Sequence, residues 1–471
     1  MRTTPVTAEE IMAIIKDPTL SRVHREADLA QVAERLLMPY ELPEETLDLL
    51  SDNSISDMGE PYGTYKCRYA VPDYDLFMKK GSKALRLPPP STIWEAVNWL
   101  MILYQHTSEL AYRPHYVGHL DRLLDPFIKD EKEAMEAIRH LLMYLDRVGG
   151  DSFVHANIGP EETKAGRIIL SLTREMQEVI PGLTLCFDEE KTSEAFALDA
   201  FRTAMVAAKP SFANDRIYRE EMGRYAIASC YNALPLGGCG MTLNRLMLHN
   251  LSTRAESPED FLNNWLPRAV RAVADMMDRR IIFMVEECGF VENNFLYKEG
   301  LLKNDRDHMV AMLGFVGLAE AVNHLLSAEK QCDRFGHSEK ADSLGEAIMD
   351  RIAEEMGNCQ MKYGVLRLHA QVGNGNDTDG MSPGGRIPVG EEPPIPEHIR
   401  NFIRMHKDCQ AGCGELFRFE PTVKKNLEFL LDILKGAFQE GARYLSFYAS
   451  DSDLVRVTGY LVKRSDIEKF R

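Results

Sequence analysis

Two loops in this sequence carry side chains whose chemistry is hard to explain as packing alone. The first is Tyr231-Asn232-Ala233-Leu234-Pro235-Leu236-Gly237-Gly238-Cys239-Gly240, entered directly after Cys230 and the small apolar run Tyr225 to Cys230. A thiol at the mouth of such a loop can be a nucleophile, but only with a base to form the thiolate, and no histidine is near in sequence. The second is Leu454 to Lys463, an alternating β-branched run broken by Gly459. Locally that pattern reads as a strand with a bulge or tight bend. Taken together, Cys230 and Gly459 allow a third chemistry. A Cα radical is tolerable only on glycine, where the centre can flatten and delocalise into both peptide groups. A thiol can exchange hydrogen with that centre and then abstract hydrogen from a substrate. Such a pair has to meet inside a closed scaffold, shielded from oxygen.

Other candidates are weaker. Cys409 and Cys413, with His406 nearby, have ligand-like spacing, but structural zinc usually takes four ligands and no second pair follows. Gly373-Asn374-Gly375-Asn376-Asp377 reads as a cluster of turn residues, with no helix start after it to bind phosphate. Polar residues at strand ends or loops include His155, Asp188, Asn232 and Glu287; a general base is sought among Asp188, Glu286, Glu287 and Glu292. Cys239, at the far end of the first loop, is an alternative relay thiol or a packing residue.

The elements that position these residues follow from periodicity and turn signals. Residues 1–60 read as short helices, opened by the capping box Thr7-Ala8-Glu9-Glu10, and 61–75 as an irregular, Tyr-rich wrap. Helices are predicted over 92–106, 131–148, 161–179, 193–209, 258–288, 308–328, 340–356 and 424–439. Residues 117–127 read as a turn leading into a helix stopped before proline. Strands are predicted at 153–157, 183–187, 225–230, 364–369 and 444–448, and loops at 210–216, 231–240 and 373–396. Short strands separated by helices point to an α/β fold with a mostly parallel sheet or barrel.

The chain has 471 residues, 45% apolar and 27% charged, with a net charge of −17. That charge argues against a partner held through nucleic-acid phosphates. Nine cysteines without a framework spacing, no signal peptide and no run of roughly 18 apolar residues predict a cytoplasmic protein with reduced thiols and no membrane partner.

Arg456-Val457-Thr458-Gly459-Tyr460 resembles the glycyl radical motif, and Val455 to Phe470 is similar to the YjjI-type branch of the glycyl radical enzymes, which are pyruvate formate-lyase-like. Ser229-Cys230-Tyr231-Asn232 with Leu234-Pro235-Leu236-Gly237-Gly238 resembles that branch's cysteine loop, and Ser382-Pro383-Gly384-Gly385-Arg386 is similar to a turn of the wider family. The resemblance implies a ten-stranded α/β barrel of two half-barrels ringed by helices, with the glycine and cysteine loops meeting inside. It implies an N-terminal helical or irregular wrap over 1–90 and a barrel domain over 91–471, with the radical loop at about 449–471. It further implies that Gly459 stores the radical and Cys230 relays it as a thiyl to a small organic substrate under anaerobic conditions. The radical would be installed by a partner activase using S-adenosylmethionine and an iron–sulfur cluster; this chain would hold no metal or bound cofactor, and a homodimer is allowed. Tyr231-Asn232 stands where dehydratases and the choline lyase place Val-Glu, and the adjacent cysteines of pyruvate formate-lyase and the four-cysteine zinc site of anaerobic ribonucleotide reductases are absent. The substrate, and the choice among lyase, dehydratase and reductase, are therefore open. The alternatives are a non-catalytic or replacement-partner protein retaining the fold, a class III ribonucleotide-reductase-like activity, or a cysteine hydrolase.

Overall fold

The computed structural model describes residues 6–20, 25–26, 28–30, 32, 40–57, 65–107, 110–111, 116–148, 154–228, 231–370, 380–457 and 460–465. In chain order its strands are β1 (Ile55–Ser56), β2 (Tyr69–Val71), β3 (Tyr116–His119), β4 (His155–Ile158), β5 (Gly182–Phe187), β6 (Ser211–Asn214), β7 (Tyr225–Ala228), β8 (Asn232–Pro235), β9 (Gly238–Met247), β10 (Met309–Val316), β11 (Val365–Ala370), β12 (Glu415–Phe419), β13 (Tyr444–Ala449), β14 (Leu454–Val457) and β15 (Tyr460–Lys463). They form two larger sheets and two strand pairs.

One sheet has the order β1-β9-β10-β11, with β2 also on β9. Strands β9, β10 and β11 run parallel, whereas β1 and β2, from the first 90 residues, pair antiparallel with β9. The second sheet has the order β12-β13-β6-β5-β4-β3. It is parallel across β3 to β6 and across β12–β13, with an antiparallel junction between β13 and β6. The remaining pairs, β7–β8 and β14–β15, are antiparallel. The architecture is thus mixed α/β with parallel sheets; no strand pairing joins the two sheets among the described residues.

Helices cover the sheets because their apolar faces need burial. The helix Glu131–Val148 buries Ala134, Ile138, Leu141 and Leu145 along one face, and Glu194–Ala207 buries Phe196, Ala200, Phe201 and Ala204. Ser193 caps the latter by accepting from the Phe196 amide. The Thr7 hydroxyl likewise accepts from the Glu10 amide to start the helix Ala8–Lys16.

Several expectations are corrected. Residues 308–328 are not one helix: β10 precedes a short helix, Leu318–Leu325. All eight β10 residues are buried, so the run lacks the polar alternation that marks a half-exposed strand. The 210–216 loop contains β6 and the start of the helix Asp215–Met222. The 231–240 loop is two strands, β8 and the start of β9, and the irregular 61–75 wrap holds β2. The helix Ile395–His406 and β12 fall where no regular element was expected. The Gly373–Asp377 turn cluster lies outside the described residues.

Candidate active site

Cys230 and Gly459 lie outside the described residues, but the strands on either side of each are described. Ala228 of β7 pairs with Asn232 of β8, and Val457 of β14 pairs with Tyr460 of β15. Three residues, 229–231, therefore separate the first pair of strands, and two, Thr458 and Gly459, separate the second.

The β7–β8 pair is fastened to both sheets. On the six-stranded side, Asn157 of β4 accepts from the Ile227 amide and donates to the Ile227 carbonyl, both at 2.9 Å. An amide side chain here completes a backbone ladder that β4 itself does not reach. On the five-stranded side, the Tyr231 hydroxyl donates to the Ala370 carbonyl at 3.0 Å and its ring stacks on His369, with centroids 5.7 Å apart. The turn at 409–413 closes the gap between them. The Ala233 amide donates to Ala411, Ala411 donates to Leu368, and Ala370 donates to Gly412. Gly412, at φ +126°, is required here, because a Cβ would stand 2.1 Å from the Tyr231 carbonyl oxygen.

Around this pair is a buried cluster, separate from the main core, that includes Cys186, Tyr218, Tyr225, Tyr231 and Tyr444. Tyr225 donates to Asp215 at 2.9 Å and stacks on Tyr218, whose hydroxyl has no hydrogen-bond partner among the described residues. Tyr444, Thr184 and His155 form a chain, with Thr184 Oγ1 3.1 Å from the Tyr444 hydroxyl and 2.6 Å from His155 Nε2. Burial pushes the Cys186 thiol far up, and it drives His119 and His369 down to about 3, leaving both imidazoles neutral. Asp121 is pushed up to about 7 by burial, against the amides of Gly159 and Arg122 that it accepts from.

The sequence candidates are dispersed around this cluster. Asn232 is buried in β8 and donates to the Ala228 carbonyl at 3.4 Å, across the connection that contains Cys230. Cys239 lies in β9, 3.5 Å from the Tyr297 hydroxyl, and burial together with Cys239 pushes the adjacent Cys67 thiol well up. Asp188 follows β5; burial raises its carboxyl, but the Arg219 guanidinium at 3.0 Å holds it below the usual range. Glu286, Glu287 and Glu292 are all exposed, and Glu286 is paired with Lys362 and accepts from Tyr363 at 2.8 Å.

Cys409 and Cys413 are both buried, and burial pushes Cys413 up to about 12. His406 Nδ1 bonds the Phe402 carbonyl at 2.8 Å, and its Nε2 accepts from the Gly385 amide at 3.2 Å, so neither nitrogen faces the thiols as a free ligand. No metal-holding group of three or more His, Cys, Asp or Glu occurs among the described residues. Nor does any described helix have the length and apolarity to cross a membrane.

Sequence reasoning passed over His369, Tyr444 and Thr184. For His369 a signal was present: Val365, Arg367 and His369 alternate with Leu366 and Leu368 in a predicted strand, putting the histidine on one face at its end.

A larger cavity of about 900 Å³ lies between β12 and the Ser382–Arg386 turn, with Arg456 of β14 in its wall. Its buried polar group is Arg386, Glu415 and His398, with His398 Nε2 3.2 Å from Glu415 Oε2. Arg386 also donates to the Gly414 carbonyl at 2.8 Å, which ties the turn to the start of β12.

The chain is 40% identical over 480 residues to an uncharacterized protein of Haemophilus influenzae, spanning 98% of this chain and 92% of that one. It is 38% identical over 467 residues to the uncharacterized protein YjjI of Escherichia coli, spanning 97% and 90%. Its fold is similar to that of the anaerobic ribonucleotide reductase of Thermotoga maritima, with a TM-score of 0.73 at 12% identity over 98% of this chain and 94% of that one. A family model described as glycyl radical enzyme YjjI-like matches residues 20–471, and the chain belongs to that family.

Proposed function

We propose that this protein stores a radical on Gly459 and relays it through Cys230 to abstract hydrogen from a small organic substrate in the absence of oxygen. The observation that carries this reading is the family match over residues 20–471, which spans both residues. The two strand pairs support it, since each sets its residue in a short connection between antiparallel strands. In this reading the two sheets, of five and six strands, supply the two halves of a ten-stranded α/β barrel, with one of the eleven strands outside it.

The chemistry balances as hydrogen-atom exchange. A radical S-adenosylmethionine activase removes one hydrogen atom from the Gly459 Cα. The glycyl radical takes the hydrogen of the Cys230 thiol, and the thiyl takes one from a substrate C–H bond. Return of that hydrogen from the thiol to the product radical, and of the glycine hydrogen to Cys230, restores the stored radical. Cys230 is the relay in preference to Cys239, because Cys239 stands within the β9 ladder, beside Tyr297 and Cys67.

Anaerobic incubation with the activase, S-adenosylmethionine and a reductant tests the proposal. The expected result is an electron paramagnetic resonance doublet that collapses when Gly459 is deuterated at Cα. Air should then cleave the backbone at Gly459, and Gly459→Ala should stay intact. No signal with a competent activase overturns the reading.

A further inference from the structure

His369 is 2% exposed, yet neither ring nitrogen has a hydrogen-bond partner among the described residues. Burying an imidazole in this way costs free energy that a phenylalanine of similar shape would not. The adjacent hydrogen bonds run past it: Tyr231 donates to the backbone of Ala370, and Ala370 to that of Gly412.

Its position is set by the sheet. Arg245 of β9, Gly314 of β10 and His369 of β11 are register partners across parallel strands, so they share one face. Tyr231 stacks on His369, which turns that face toward the β7–β8 pair, and the residue before Tyr231 is Cys230. The row lies near the C-terminal ends of β10 and β11, where parallel α/β sheets place their ligands. Gly314 adds no side chain between the two polar residues. The charged group that acts on His369 is the Arg68 guanidinium, just before β2, and Arg245 is the cation of the register row itself.

We propose that His369 is a substrate-binding residue, its imidazole hydrogen-bonding the hydroxyl or carbonyl oxygen of a small hydroxy- or oxo-carboxylate held on the face of β9–β11 against which Tyr231 stacks. The neutral ring offers one donor and one acceptor, which suits an alcohol or a carbonyl, and the nearby Arg68 and Arg245 guanidiniums give the region a positive charge that suits the carboxylate. This assignment rests on the radical reading above for its location, but binding is measured on unactivated protein, so the two fail separately.

The probes are lactate, glycerate and pyruvate, with propionate lacking the second oxygen function and glycerol lacking the carboxylate. Calorimetric titration of the full-length chain should show at least one of the three acids binding about tenfold more tightly than propionate, the value of one satisfied hydrogen bond. His369→Phe should erase that preference while melting at or above the wild-type temperature. His369→Gln, which keeps a donor and an acceptor, should retain more of it than the Phe variant. The proposal is overturned if none of the acids is preferred over propionate, if glycerol binds as well as they do, or if the Phe variant keeps the preference. It is also overturned if the Phe variant melts below wild type, since His369 would then be a packing residue, or if the Gln and Phe variants lose the preference equally. A missing glycyl doublet breaks the radical reading without touching this result.

Discussion

The β7–β8 and β14–β15 pairs are built alike, as short antiparallel strands, but they are attached differently. The first is held through backbone groups on both sides: Asn157 reads both polar groups of Ile227, Ala233 donates to Ala411, and Tyr231 reaches Ala370. The second is held largely by side chains. Arg456 donates to the Ala208 carbonyl at 2.8 Å, Ser452 to the Val206 carbonyl at 2.7 Å, and Lys463 pairs with Glu178 at 2.7 Å. Leu454 and Leu461 rest on Ala207 and Ala208, a small apolar cluster separate from the main core. One pair is tied to both sheets, and the other is held against the end of the helix Glu194–Ala207, with Leu454, Arg456 and Leu461 buried there. Regions with few buried contacts open locally at lower free energy than the core.

That contrast can be broken by experiment. The largest effect is expected for Asn157→Ala, which leaves the buried N–H and C=O of Ile227 unpaired and costs about 2–4 kcal/mol by chemical denaturation. A cost near zero would mean β7 does not depend on the six-stranded sheet. Arg456→Ala should act locally: amide exchange across 454–463 should speed by about tenfold while the global melting temperature holds. A global loss instead would make the hairpin part of the core.

Acid titration sharpens the comparison on the scaffold side. His119, His369 and His406 have folded pKa values lowered to about 3, 3 and 4 by burial. The unfolded chain therefore takes up protons first, and stability falls as pH drops below about 6.5. His369→Phe removes one of these sites and should lose about 1 kcal/mol less than wild type between pH 6.5 and 5.5. An unchanged slope would mean His369 is not held neutral in the folded state. The smallest effect is expected for Lys463→Ala, below about 1 kcal/mol and reduced further by salt, because the pair is partly exposed.

How much was legible in the sequence varies with burial. Strands β4, β5, β11 and β13 were readable as short apolar runs bounded by glycine, proline or charge, and the long helices by their 3.6-residue period. Strand β10 was not, because eight buried residues carry no alternation, and β8 and β9 were hidden by Pro235, Gly237 and Gly238, which read as loop. Strand β6 is only four residues long and follows Pro210. Strand β7, before Cys230, and the β-branched run around Gly459 could be found from local residue types. His369, Tyr444 and Thr184 could not be assembled that way, because what joins them to the β7–β8 pair is sheet register and chain crossings between distant segments.

The exposure of Cys332 gives this chain a practical address. Seven of the eight described cysteines are buried or half-buried, and Cys332 alone among them is exposed, on a short 3-10 turn. Among the described cysteines, a maleimide or nitroxide reagent should modify it first, with the packed thiols slower by the free energy of opening the fold. If Gly459 carries the proposed radical, a nitroxide at Cys332 would form a spin pair with it, whose dipolar coupling would convert the site assignment into a distance.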